Sequence, residues 1–244
     1  MSETSTTLQV RVAAACEAGA VRESNQDSVY AGDGLLAVAD GGGAGGAAAS
    51  AAAIAALKPL EEADIVAADL LDALGRAIAD ADRAVRAGAV GSDQPISTLT
   101  AILRRGSRLA LVHIGDTRAY LLRQGELHQL TQDHTWVQTQ VDAGKLDSSE
   151  AASHPQRALL VRALGAGGPD VEADLAMRTA VAGDRYLLCS DGVSAVVGRA
   201  DLYAALNDAA DPHEAVRRLS DLAGAAGSPD NIACVVADFI GHQA

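Results

Sequence analysis

The sequence predicts an α+β fold in which antiparallel sheet is covered on its outer faces by helices, and three observations carry that prediction. Between residues 98 and 130 short apolar runs are separated by Gly-containing turns, the pattern of consecutive hairpins. The longer stretches of helical pattern fall in blocks at 47–57, 62–88, 200–207 and 212–226. Those blocks do not alternate with single strands, as a parallel doubly wound sheet requires. No internal repeat or linker interrupts the 244 residues, so one compact domain over residues 8–241 is expected, behind a polar tail of residues 1–7.

Each element follows from local pattern. Residues 8–15 alternate as a half-buried strand does. Residues 29–30 and 34–39 form two more strands around the turn Gly32-Asp33-Gly34. The segment Gly41-Gly42-Gly43-Ala44-Gly45-Gly46 then leads into an Ala-rich run that Pro59 closes, which predicts a buried helix ending at Leu57. Ile65, Leu70, Leu71, Leu74, Ile78 and Val85 recur at helical spacing and predict a long helix over 62–88, with a loop from 88 to 95. The hairpin section comprises strands at 98–104, 109–114, 119–122 and 127–130. Residues 134–167 are polar and interrupted, with short helices at 137–143 and 148–153. Strands at 175–179 and 184–189, the two late helices and a last strand at 232–240 complete the order.

Composition narrows the function. Apolar residues make up 49% of the chain but aromatics only 2%, so the core is built from Ala, Val, Leu and Ile. Nineteen basic residues against 32 acidic ones give a net charge of −13. Such a field repels phosphate backbones and attracts divalent cations, which argues against nucleic-acid binding. Cys16, Cys189 and Cys234 are too few and too scattered for a disulfide framework, so a reducing, cytoplasmic setting is expected. The N-terminus lacks the basic and apolar regions of a signal peptide. No stretch approaches the roughly 20 apolar residues that span a bilayer. A monomer without a membrane span is the expectation.

Four aspartates stand where apolar, strand-like runs break into turns: Asp40, Asp116, Asp191 and Asp230. A single Asp beside Gly is ordinary turn chemistry. Four of them delivered to strand ends suggest a cluster of hard oxygen ligands suited to Mg²⁺ or Mn²⁺. Two competing motifs are weaker. Gly41-x-Gly43-x-x-Gly46 fits a dinucleotide fingerprint formally, yet Asp40 puts negative charge where a pyrophosphate would lie. Cys16 and Arg22 have the spacing of a thiol phosphatase, but Glu17 disfavours a thiolate. Arg22 and Asp27, in Arg22-Glu-Ser-Asn25-Gln26-Asp27, offer a guanidinium fork for phosphoryl oxygens and a carboxylate able to orient water.

In order along the chain stand Arg22-x-x-Asn-Gln-Asp27, Ala-Asp40-Gly41-Gly, Ser97-Thr98-Leu-Thr, Ile-Gly-Asp116-Thr-Arg118, Leu-Thr-Gln-Asp133-His, Leu-Cys-Ser-Asp191-Gly192 and Ser-Pro-Asp230-Asn231. Together they resemble the metal-dependent protein phosphatases of the type 2C serine/threonine class, in particular their compact bacterial members. The resemblance implies a four-layer αββα sandwich with a binuclear Mn²⁺ or Mg²⁺ centre and hydrolysis of phosphoserine and phosphothreonine by a metal-bridging hydroxide. It implies that Asp40 bridges two ions, that the Gly41 carbonyl binds one, and that Asp191 and Asp230 complete the other's shell. Asp116 with Asp191 would hold a weaker third ion. Arg22 would grip the substrate phosphate, Asp27 would orient water, and residues 140–158 would form a flap in which Ser153 and His154 approach the third ion. Phosphorylated proteins and opposing Ser/Thr kinases are the implied partners.

The glycine segment is about two residues shorter than in bacterial relatives, and Gly42 stands where eukaryotic relatives carry a His proposed as leaving-group acid. His134 and His154 remain as alternative proton donors, beside water. Two other readings stand next to the phosphatase: a pseudophosphatase that keeps the fold as a binding module, and a partner-switching phosphatase serving a dedicated regulatory protein.

Overall fold

Two antiparallel sheets face each other, and helices cover the outer face of each, in a computed structural model that describes residues 7–89, 94–167 and 171–242. One sheet has the order β1-β11-β10-β7-β8, from β1 (Thr7–Glu17), β7 (Arg118–Arg123), β8 (Glu126–Gln129), β10 (Arg185–Cys189) and β11 (Ile232–His242). The other has the order β2-β3-β5-β6-β9, from β2 (Asp27–Ala31), β3 (Leu35–Gly42), β5 (Leu99–Arg105), β6 (Arg108–Ile114) and β9 (Asp174–Thr179). The two-residue β4 (Ile96–Ser97) pairs with the end of β3. Helices α1 (Gly46–Leu57) and α2 (Leu70–Ala87) cover the second sheet. The first is covered by α5 (Asp191–Ser194), α6 (Arg199–Asn207) and α7 (Pro212–Ala225). The short α3 (Trp136–Asp142) and α4 (Ser148–Ser153) sit outside this stack.

Side-chain alternation shows why the central strands read as unbroken apolar runs. On β3, Leu35, Ala37 and Ala39 pack towards α1 and α2, while Leu36 and Val38 face the other sheet. On β11, Cys234 and Val236 meet the helices and Ala233, Val235 and Phe239 lie between the sheets. Both faces of these strands are buried, so the polar half of the usual antiparallel alternation disappears. Tyr186 and Phe239 meet edge to face at 5.3 Å in the inter-sheet layer, where large rings are otherwise scarce.

Several expectations change in detail. Helix α2 starts at Leu70, not at residue 62. Arg105 donates to the carbonyls of Leu60 and Ala63, and Glu61 accepts from the Gly34 amide, so those groups serve tertiary contacts instead of helix bonds. Helix α1 is buried along one side only; Ala47, Ala48, Ala51 and Ala55 are exposed. Strands β6 and β7 are not a hairpin, because the chain crosses from one sheet to the other at Gly115-Asp116-Thr117. The expected 88–95 loop includes residues 90–93, and the expected tail includes residues 1–6; both lie outside the described residues. Thr7 already belongs to β1. Among the described residues no helix is long and apolar enough to cross a membrane.

The topology brings specific chain ends together. Asp27 starts β2 and pairs across the ladder with Asp40 on β3. Leu99 at the start of β5 pairs with Ile114 at the end of β6, and Arg118 at the start of β7 with Cys189 at the end of β10. The crossing at 115–117 joins those two groups at one edge of the sandwich, where residues 190–191 and 230–231 also lie.

Candidate metal centre

At that edge Asp40 is held through its backbone. Its amide donates to Thr98 Oγ1 (3.0 Å), and its carbonyl accepts from the Thr98 amide (2.8 Å) and from Ser97 Oγ (3.2 Å). The next residue is glycine for a steric reason. A Cβ on Gly41 would lie 2.0 Å from the Gly46 carbonyl oxygen, so β3 and the first turn of α1 touch backbone to backbone. The glycine-rich segment is therefore a packing device, not a nucleotide cradle.

Asp191 and Asp230 are joined in the same way. A Cβ on Gly192 would sit 1.8 Å from the Asn231 carbonyl oxygen, and Ser228 Oγ donates to the Gly192 carbonyl (2.8 Å). Asn231, almost fully buried, is the hub of the loop at 18–26. Its Oδ1 accepts from the Gln26 amide (2.8 Å), and its Nδ2 donates to the carbonyls of Ala18 (3.0 Å) and Ser24 (2.9 Å). That loop carries Arg22, whose Nη2 donates to Asp230 Oδ2 at 2.6 Å and whose Nε donates to the Pro229 carbonyl at 3.3 Å. The Arg22 side chain stays half exposed, with Nη1 lacking a hydrogen-bond partner among the described residues.

The five acids of the predicted set act on one another electrostatically. Burial pushes Asp40 up to about 10, and the charges of Asp27, Asp191, Asp116 and Asp230 add to it. Asp27 is raised to about 7 and Asp116 to about 8, in each case by burial first, with Asp191 adding to both. Asp191 is raised by burial and by Asp230, while Arg157 and Arg22 oppose the shift. Asp27 Oδ2 and Asp191 Oδ1 are buried without a hydrogen-bond partner among the described residues. Buried carboxylate oxygens rarely go unsatisfied. Neighbouring carboxylates cannot donate to one another once ionised, so a shared proton or a cation must fill the gap.

These observations test whether a divalent ion suits the site. The donors are all hard oxygens, which matches Mg²⁺ or Mn²⁺. Among the described residues no three acidic, His or Cys side chains form a ready metal-holding group. That is compatible with Mg²⁺-type binding, which uses one or two carboxylates and retains several waters. One oxygen of Asp230 is meanwhile engaged by Arg22 at 2.6 Å. The residues fit the ion.

A cleft of about 340 Å³ opens beside the acids, lined by Asp116, Asp191, Arg118, Asp133 and, from the α3–α4 side, Gln138 and Arg157. Arg118 grips Asp133 through two parallel hydrogen bonds of 2.8 and 2.7 Å. The predicted flap residues are not drawn into the acid cluster. Ser153 Oγ donates to the Glu150 carbonyl, and His154 accepts from the Gln156 amide and lies against Trp136. His134 is buried and accepts from the Gly115 amide at 3.2 Å, which commits its Nδ1 to structure. Cys16 accepts from Asn25 and its thiol pKa is raised by burial, so no thiolate is poised there. Arg157, Asn231 and the Ser97-Thr98 clamp are contributors that sequence reasoning did not assign. The Asp-Asn and Ser-Thr pairs were visible as motifs, whereas an exposed Arg in a polar segment carries no signal of its own.

The protein phosphatase 2C family model matches residues 17–236. The chain belongs to the protein phosphatase 2C family. The serine/threonine protein phosphatase PstP of Mycobacterium tuberculosis is 49% identical over 243 residues, covering 97% of this chain and 46% of that protein. The chain thus spans about half the length of that curated relative. A crystal structure of PstP superposes with a TM-score of 0.88 at 47% identity, covering 96% of this chain and all of that one. The PstP catalytic domain, solved in complex with two manganese ions, superposes with a TM-score of 0.87 at 46% identity and the same coverage. This member of the 2C family therefore has the four-layer αββα sandwich.

Proposed function

We propose that the chain is a metal-dependent protein serine/threonine phosphatase domain, spanning residues 8–241, that acts on phosphoserine and phosphothreonine in proteins and reverses Ser/Thr kinase signalling. The supporting observation is the convergence of Asp40, Asp116, Asp191 and Asp230 at one edge of the sandwich, with Asp191 Oδ1 and Asp27 Oδ2 buried and without a hydrogen-bond partner among the described residues. The names of its relatives support the substrate class, and the manganese-bound relative supports the cofactor. The three free cysteines agree with a reducing, cytoplasmic setting.

In this reading Asp40, the Gly41 carbonyl, Asp191 and Asp230 hold two Mn²⁺ or Mg²⁺ ions, and Asp116 with Asp191 holds a weaker third. When bound, such ions neutralise phosphoryl charge and lower the pKa of water near neutrality. Arg22 orients the phosphoryl group through the guanidinium edge that Asp230 leaves open. Asp27 keeps a buried oxygen available to accept a hydrogen bond or a proton at Oδ2. Gly42 offers no side-chain acid, His134 is committed to Gly115, and His154 caps its own turn. In this reading water in the cleft supplies the proton that the leaving alkoxide takes up.

The deciding experiment measures phosphate release from phosphoserine and phosphothreonine peptides with Mn²⁺, with excess chelator, and after Asp191→Ala. Loss of turnover in the last two cases is expected. Turnover that survives both would refute the assignment, and cation binding without turnover on any phosphopeptide would identify a binding module instead.

A further inference from the structure

One buried group close to the centre has no part in the chemistry above. His134 lies where both ends of the α3–α4 segment meet the turn that carries Asp116. The His134 amide donates to the Gly115 carbonyl at 2.7 Å, and the Gly115 amide donates back to His134 Nδ1 at 3.2 Å. The carbonyl of His134 accepts from the Val161 amide (2.9 Å), the Trp136 amide donates to the Leu159 carbonyl (2.8 Å), and Thr135 bridges to Leu160. The two ends of residues 136–159 thus lie side by side, paired through His134–Val161, Thr135–Leu160 and Trp136–Leu159. Because Nδ1 accepts, the ring proton of the neutral imidazole sits on Nε2, which faces Asp174 Oδ2 at 3.3 Å with Arg162 Nη1 at 3.5 Å. His113 stacks behind the ring at 4.7 Å and is itself tied to Thr100 and to the Gln132 carbonyl. Burial lowers the pKa of both histidines, which keeps His134 neutral and able to accept.

We propose that His134 is a positioning residue that locks the base of the α3–α4 segment to the Gly115-Asp116 turn, so that the segment bordering the cleft and the Asp116 carboxylate hold their places together. The inference rests on the proposed role of Asp116 as a metal ligand. Its energetic core is the two-point clamp on Gly115, in which a side-chain acceptor satisfies a backbone donor that would otherwise be buried without a partner. The Asp174 contact, on a half-exposed partner, is secondary.

Three variants separate these contacts. In His134→Asn, Oδ1 stands in the place of Nδ1 and can still accept from Gly115. In His134→Leu the volume is similar and the acceptor is gone. Asp174→Ala removes the outer contact, together with the Arg162–Asp174 ion pair at 3.3 Å, and leaves the Gly115 clamp in place. Two readouts are followed: phosphopeptide kinetics as a function of Mg²⁺, and hydrogen exchange of peptides covering 109–118 and 136–159. His134→Leu is expected to lower kcat by ~10- to 100-fold with little change in KM, and to raise the Mg²⁺ concentration for half-maximal rate. It is also expected to speed exchange in both peptides together. His134→Asn and Asp174→Ala are expected to resemble the unsubstituted protein in every readout. The inference is overturned if His134→Leu leaves kcat and exchange unchanged, if His134→Asn fails to rescue, or if Asp174→Ala does the same damage as His134→Leu. Should His134→Leu not fold, the Asn and Asp174 variants still decide. Exchange needs no turnover, so a protein inactive on every phosphopeptide would sink the phosphatase reading without touching this test.

Discussion

Stripped of divalent cations, the protein should lose stability as pH rises from about 5 to 8, the reverse of ordinary acid denaturation. The cause is the packing of Asp27, Asp40, Asp116 and Asp191 into one partly buried edge. Asp27 is raised from 3.8 to about 7, Asp116 to about 8, and Asp40 higher still. A group whose folded pKa lies above its unfolded value stabilises the fold fully below the unfolded value. That contribution is lost as pH rises through the folded value. Between about pH 4 and 7 Asp27 remains protonated in the folded chain while the unfolded chain has released its proton. Each such group costs about 1.4 kcal/mol per pH unit. From pH 5.5 to 7 this amounts to roughly 2 kcal/mol for Asp27 alone, with Asp116 and Asp40 acting in the same direction. The assay is urea unfolding in chelator at half-unit pH steps, repeated with saturating Mn²⁺. The cation binds the ionised carboxylates, so it should remove the decline and add stability by mass action. A chelated protein equally stable at pH 5.5 and 8, or more stable at 8, would show that the carboxylates do not share one buried edge.

Substitutions at three positions test the site and its supports. Asn231→Ala removes three hydrogen bonds to the 18–26 loop and is expected to cost roughly 2–4 kcal/mol in urea unfolding, with a raised KM because Arg22 is less well held. Gly192→Ala places a Cβ against the Asn231 carbonyl and should destabilise by roughly 1–3 kcal/mol while weakening Mn²⁺ binding in calorimetric titration. Unaltered binding in that variant would mean that Asp191 and Asp230 are not fixed through this contact. Arg22→Ala should lower kcat/KM on phosphopeptides by about 10- to 100-fold, the worth of a charged hydrogen bond to phosphate, and Arg22→Lys should recover only part of it.

Local pattern determined most of the elements and the residue types at the site. The hairpin spacing, the Ala-rich run, the late helices and the four Asp-bearing strand ends are all properties of neighbouring residues, and a period of two or of 3.6 is visible without any partner. Recognition of seven motifs in order also placed the chain in its family. Tertiary structure decided what each motif does. The helical spacing begins at residue 62, but Arg105 and Glu61 draw the backbone at 60–63 into contacts that no window around it contains. The glycine segment fits a dinucleotide fingerprint only formally, and its real use is the close contact of Gly41 with Gly46, made by the docking of α1 on β3. His134 resembles a spare proton donor in sequence and becomes a buried clamp because strands from different sheets end beside it. Sequence specifies which carboxylates reach a strand end; only the stacking of two sheets brings those ends together, and burial there is what raises their pKa values and calls for a cation.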